Sequence, residues 1–171
     1  MLKEEIRNAI LELQKLYPEK RSALIPALHL AQTELGYLPR EMQNEVAELF
    51  GLDPNEVNAV VTFYDMFFED PVGKHLIHVC KNASCMLRGA DGLLSRLCQK
   101  LKVQPGETTE DGQFTVIASE CLAACDLAPM MLVDEKVVGP VQENELDRIL
   151  DAAREGPGHP APVERPGGSH G

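Results

Sequence analysis

The sequence predicts an α+β protein: an N-terminal helical bundle followed by an α/β domain with a mixed sheet. Three observations lead there. Over the first 70 residues, apolar side chains recur at three- and four-residue intervals, the period of helices buried along one face. After Asp70-Pro71-Val72-Gly73 this gives way to short apolar and β-branched runs separated by amphipathic segments. Residues 156–171 are rich in Pro and Gly with almost no apolar content, so a disordered tail is expected. The domains are accordingly expected at 1–70 (helical), 71–155 (α/β) and 156–171 (tail).

Leu2, Ile6, Ile10, Leu13 and Tyr17 define a first helix, stopped by Pro18. A second begins near Ser22, places Leu24, Leu28, Ala31 and Leu35 on one face and ends at Gly36; Pro26 is tolerated only in or beside its first turn. A third runs from about Pro39 to Gly51 with Met42, Val46 and Leu49 inward. Asp53-Pro54-Asn55-Glu56 supplies an N-cap, a proline at the first helical position and an acidic third residue, so a fourth helix opens there. The aromatic-rich continuation, Val60 to Phe68, reads as a helix end or a buried linker.

His75–Cys80 alternates in part and reads as a strand ending on Cys80. An amphipathic helix is expected from about Arg88 to Leu101, and a second strand over Phe114–Ser119, just before Cys121. Met130–Val133 and Lys136–Val138 flank Asp134-Glu135 as a tight hairpin, and Asn144–Arg154 closes with a helix. The order β-α-β-β-β-α is that of a thioredoxin-like half-sandwich. Its two parallel strands would bring both cysteine-bearing loops to one edge of the sheet.

Composition removes several functions. The net charge of −11 repels phosphate backbones and anionic headgroups, so neither nucleic acid nor direct membrane contact is expected. No run approaches the roughly 18 apolar residues of a membrane span, and the N-terminus lacks a signal-peptide core. A soluble, cytoplasmic protein is expected. In a reducing compartment its five cysteines are poor material for disulfides.

Four of those cysteines form two pairs, Cys80-x4-Cys85 and Cys121-x3-Cys125. Two thiolates per iron is what a binuclear iron–sulfur cluster requires, one pair for each iron. A structural zinc also takes four thiolates, but it favours C-x2-C knuckles, and neither pair has that spacing. Spacing thus favours [2Fe–2S] and leaves zinc open. Thioredoxin-type disulfide exchange needs C-x-x-C, which is absent. Cys98 lies among Leu93, Leu94, Leu97 and Leu101 and reads as a small packing residue. Lys81 and Arg88 are near enough to soften cluster charge, and the backbone of Lys81–Ser84, Ser84 Oγ and Ser119 Oγ are candidate donors to sulfur.

Val60-Val61-Thr62-Phe63-Tyr64, Val79-Cys80-x4-Cys85-x3-Gly89-Ala90 and Glu120-Cys121-Leu122-Ala123-Ala124-Cys125-Asp126-x-Ala128-Pro129, in that order, resemble the 24-kDa subunit family of NADH:quinone oxidoreductase, respiratory complex I. The resemblance spans roughly residues 5–155 and implies a helical bundle joined to a thioredoxin-like [2Fe–2S] domain. It implies one cluster held by Cys80, Cys85, Cys121 and Cys125. It further implies docking on a flavoprotein subunit that binds NADH and FMN, and a single electron taken from that flavin. Attachment to the inner membrane would then be peripheral, through the complex. No Gly-rich dinucleotide fingerprint places NADH or FMN on this chain. Related subunits of NAD-linked hydrogenases and formate dehydrogenases share the motifs, and a free-standing thioredoxin-like ferredoxin is a further reading. Two departures stand out. Ala123 occupies a position where the family usually has glycine, and Val138–Glu143 lacks the usual Leu-Thr-Pro-Glu before the last helix.

Overall fold

Capping chemistry and apolar spacing fix the first unit of the computed structural model, which describes residues 2–158. The chain parts into two compact units between Pro71 and Val72. Helices α1 (Glu4–Gln14), α2 (Leu24–Gln32), α3 (Arg40–Phe50) and α4 (Pro54–Phe63) form the first, with a single 3₁₀ turn (Lys20–Ala23) leading into α2. Pro26 falls in the first turn of α2, where its missing N–H has no helical partner to lose. Gly51 ends α3 in the left-handed conformation at φ 67°. Asp53 caps α4 by accepting the Asn55 N–H at 2.8 Å, while Glu56 Oε2 accepts the Asp53 N–H at 3.3 Å. Ile10, Leu28, Leu38, Met42, Val46 and Val57 form the shared core. Two expected inward positions differ: α2 stops before Leu35, which is half exposed, and Leu49 is only partly buried while Phe50 takes the inner place. The aromatic run also divides, since α4 ends at Phe63, leaving that ring exposed and Phe67 buried.

The second unit is built on a four-stranded sheet of order β2-β1-β3-β4. Strands β1 (His75–Cys80) and β2 (Phe114–Ser119) pair in parallel, with His75 opposite Phe114 and Cys80 opposite Ser119. β3 (Met131–Val133) runs antiparallel to β1, and β4 (Lys136–Val138) to β3. Asp134 and Glu135 turn that hairpin with φ 50° and 68°, the left-handed pair that a two-residue hairpin demands. One sheet face carries Ile77, Val79, Phe114, Val116, Met131 and Val133. Leu93 and Leu97 of α6 (Ala90–Leu101) and Leu146, Ile149 and Leu150 of α7 (Leu146–Arg154) cover it. Each such large apolar side chain, removed from water, contributes about 1.5–3 kcal/mol.

The helix expected over 88–101 is α6, which starts two residues later at Ala90, and a short helix not expected from the sequence precedes it. Asn82 Oδ1 accepts the Ala83 N–H at 2.9 Å and opens a short α5 (Ala83–Leu87). Gly89, at φ 94°, then breaks the chain before α6. The last helix starts two residues later than Asn144. A 3₁₀ turn (Glu143–Glu145) precedes it, and Glu145 Oε2 accepts the Gln142 N–H at 3.1 Å, so a Gln–Glu pair replaces the missing Thr-Pro-Glu lead-in. After α7, Gly156 O accepts a hydrogen bond from Lys74 Nζ at 3.1 Å and Gly158 packs on Lys74. The tail expected from residue 156 lies, for 159–171, outside the described residues.

Candidate metal centre

Both cysteine pairs are delivered by the carboxyl ends of the parallel strands. Cys80 is the last residue of β1, and its partner Cys85 sits in α5 because Asn82 turns the chain there. Cys121 follows β2 by two residues, and Cys125 opens a 3₁₀ turn (Cys125–Leu127). Cys80 and Cys85 are buried, whereas Cys121 and Cys125 are exposed.

Hydrogen bonds to sulfur join the two loops. Burial alone would push the Cys80 thiol up. The Leu122 N–H, the Asn82 N–H and the Cys85 thiol all donate to its sulfur, however, and together hold it below the ordinary thiol value. Leu122 belongs to the second cysteine loop, so this bond crosses from one pair to the other. Burial raises the Cys85 thiol despite the Met130 N–H, and donation to Cys80 raises it further. Cys125 lies close enough to Cys85 for its charge to act in the same direction. Cys80 N–H also donates to Met130 O at 3.2 Å, so Met130 serves both cysteines of the first pair.

Among the described residues, no three His, Cys, Asp or Glu side chains are arranged to hold a single metal ion. Cys80 and Cys125 both act electrostatically on the Cys85 thiol, and Cys121 and Cys125 are exposed. The donor set still fits an iron–sulfur cluster. It offers four thiols on two adjoining loops, with main-chain N–H groups aimed at the inner sulfurs.

Second-sphere expectations divide. The Asn82 N–H falls within the expected stretch Lys81–Ser84, but Leu122 and Met130 do not, since only the tertiary fold brings them to the thiols. Ser119 Oγ is not turned to sulfur; it lies 2.9 Å from His78 Nδ1. Lys81 Nζ pairs with Glu120 at 3.1 Å, spending its charge on an acidic neighbour. Cys98 is half-buried against the α6-side core, its thiol raised by burial and then by Glu107. Ala123, between the outer cysteines, has φ 60°, the conformation that explains glycine at this position. Gly139 approaches the same region closely. A Cβ there would fall 2.8 Å from Met130 Cβ and overlap Leu127 O.

A mixed sheet with two helices on one face and four thiols in the loops after its parallel strands defines a thioredoxin-like domain with a cysteine-bearing sheet edge. Comparison with known proteins narrows that class. The family model for thioredoxin-like [2Fe-2S] ferredoxin matches residues 10–154, and the chain belongs to that family. It is 40% identical over 153 residues to an NADH-quinone oxidoreductase subunit of Rhizobium meliloti, covering 90% of this chain and 89% of that protein. It is 35% identical over 150 residues to the NADP-reducing hydrogenase subunit HndA of Solidesulfovibrio fructosivorans, covering 88% of each. The crystal structure of an NAD+-reducing [NiFe]-hydrogenase in the H2-reduced state superposes with a TM-score of 0.65 at 26% identity over 77% of this chain. This chain spans only 22% of that hydrogenase chain. The relatives named are subunits of oxidoreductases. Among the described residues no helix is long and apolar enough to cross a membrane.

Proposed function

We propose that this chain is an electron-transfer subunit of an NADH:quinone oxidoreductase, with one [2Fe–2S] cluster held by Cys80, Cys85, Cys121 and Cys125. The cluster takes a single electron from the FMN of a partner flavoprotein subunit that oxidises NADH. NADH and FMN belong to that partner; the chain contributes no complete active site and reaches the membrane only through the complex. Residues 1–70 form its helical domain, 71–155 the cluster domain and 156–171 its tail. The observation that carries the reading is the parallel pairing of β1 and β2, with Cys80 in register with Ser119 and the Lys81 N–H donated to Ser119 O at 2.9 Å, which sets the two cysteine loops side by side. When bound, the cluster supplies one-electron chemistry that no side chain of this protein offers. The chain's own part is to hold the sulfurs, donate N–H groups to them and keep Cys80 and Cys85 from water.

Purification from the native host under anaerobic conditions tests this. A reddish-brown protein with visible absorption, two irons per chain expected, and an FMN-containing partner supports the reading. A colourless, zinc-containing chain without such a partner overturns it. The hydrogenase relatives favour one second reading, the equivalent diaphorase subunit of an NAD-linked hydrogenase. Under that reading the co-purified assembly reduces NAD(P)+ with hydrogen and lacks quinone reductase activity.

A further inference from the structure

The two cysteine loops are tied together below the thiols as well as at them. Cys80 and Ser119 are register partners at the last position of the β1–β2 pair, and the Lys81 N–H donates to Ser119 O at 2.9 Å. Ser119 is only 5% exposed, and its Oγ lies 2.9 Å from His78 Nδ1. His78 precedes Cys80 by two residues, and Ser119 precedes Cys121 by two. The bond therefore joins the strand that carries one cysteine pair to the strand that carries the other, one dipeptide beneath each.

A second link, Lys81 to Glu120 at 3.1 Å, lies above the sheet edge with side chains 45% and 78% exposed. Solvent and salt weaken such a pair to little or nothing. The buried hydroxyl is a different case. Removed from water, it costs stability unless bonded, so its rotamer is held where His78 can meet it. Ser119 is thus fixed at both its carbonyl and its side chain, and the direction in which the chain leaves β2 is fixed with it. The segment that leaves Ser119 carries Cys121 two residues on and Leu122 three residues on, so its path sets where their main-chain N–H groups fall against the first cysteine loop. N–H donation to sulfur is a principal lever on the potential of an iron–sulfur centre.

We infer that Ser119 is a positioning residue for electron transfer: clamped by His78, it sets the placement of the Cys121–Cys125 loop against Cys80 and so the potential of the cluster. The inference rests on the four-cysteine reading above. Its test uses the full chain loaded with iron and sulfide, followed by a dye-mediated redox titration and EPR of the reduced form. Ser119→Ala and His78→Leu are expected to bind as much iron as the wild type but to show a displaced midpoint potential and altered g values. Ser119→Thr keeps the hydroxyl, and His78→Asn keeps a polar group near the Nδ1 position; both are expected to return towards wild type. In the metal-free chain, amide exchange at 120–122 is expected to quicken about five-fold in Ser119→Ala, the size of one net hydrogen bond.

If Ser119→Ala keeps the wild-type potential and g values at full iron content, the inference fails. Should Ser119→Ala not fold, the His78→Leu and His78→Asn pair decides in the same way: equal potentials in the two overturn it. A wild-type chain that takes up no cluster is a separate outcome, which overturns the four-cysteine reading itself.

Discussion

His75 Nδ1 lies 2.6 Å from Asp134 Oδ2, with the imidazole wholly buried at the end of β1 opposite to Cys80. The other carboxylate oxygen accepts the Leu76 N–H at 3.0 Å, and the Asp134 N–H donates to Leu76 O at 3.0 Å. One hairpin residue thus ties β1 to the β3–β4 turn three times. The imidazole packs on Phe114 at a tilt of 33° with ring centroids 5.4 Å apart, and the Arg154 guanidinium lies over the same Phe114 ring, 5.2 Å from its centroid. Among the described residues His75 Nε2 has no hydrogen-bond partner, and Asp134 is the group that meets the other ring nitrogen.

Asp134→Ala strands a buried imidazole nitrogen and the Leu76 N–H together. Each unsatisfied group costs about 1–3 kcal/mol, so a loss of roughly 2–6 kcal/mol is expected. Urea unfolding followed by circular dichroism measures it. Asp134→Asn keeps an acceptor for the ring and should lose less. Equal losses in the two variants would show that hairpin geometry, and not the bond to His75, is what matters.

The cysteines separate by role. Cys121→Ala or Cys125→Ala removes a proposed ligand and is expected to abolish the visible absorption of the loaded protein. Cys98→Ser lies in α6, away from both pairs, and is expected to leave that spectrum intact. Its cost is a matter of packing, about 1 kcal/mol for placing a hydroxyl among half-buried leucines. Absorption spectra at equal iron supply make the comparison.

Much of this is legible in the sequence, for identifiable reasons. β1 and β2 can be placed to the residue because alternation and flanking loops both mark them, and the hairpin because Asp134-Glu135 separates two apolar runs. The short α5 is not legible. The period of Leu93, Leu94, Leu97 and Leu101 marks α6 alone, whereas the start of α5 depends on the Asn82 side chain and its end on a left-handed glycine. The cysteines can be grouped by spacing alone. Leu122 and Met130, which contribute only main-chain N–H groups, leave no mark in residue type. Ser119 reads as a donor to sulfur because proximity in sequence cannot reveal His78 across the sheet.

The loop before β2 carries a pH dependence. Thr109 Oγ1 donates to Asp111, and then the Gln113 N–H does so at 3.0 Å; both hold its carboxyl below the ordinary carboxylate range. A carboxyl with its folded value depressed adds stability above its unfolded value and loses it as pH falls through the folded one. Wild type should therefore exceed Asp111→Asn in stability at neutral pH, and the difference should vanish in acid. The side chain is fully exposed, so the difference is expected to be small and to shrink in salt. Paired thermal melts at neutral and acid pH follow it. A difference that stays constant across that range is inconsistent with a charge origin.

Ala123 holds φ 60° in the loop between Cys121 and Cys125. A Cβ in the left-handed region costs about 1–2 kcal/mol, because it crowds the following carbonyl. Glycine removes that crowding but loosens the unfolded chain, which gives back about 0.4–1 kcal/mol. The first effect is the larger, so Ala123→Gly is expected to stabilise the protein by about 0.5–1 kcal/mol. For a second unit of this size that is a rise of a few degrees in the melting temperature. Because glycine can hold the same φ and ψ, the loop should keep its path, and the iron content and visible spectrum should not change. Destabilisation by glycine would mean that the Ala123 methyl contributes packing in this loop that outweighs its strain.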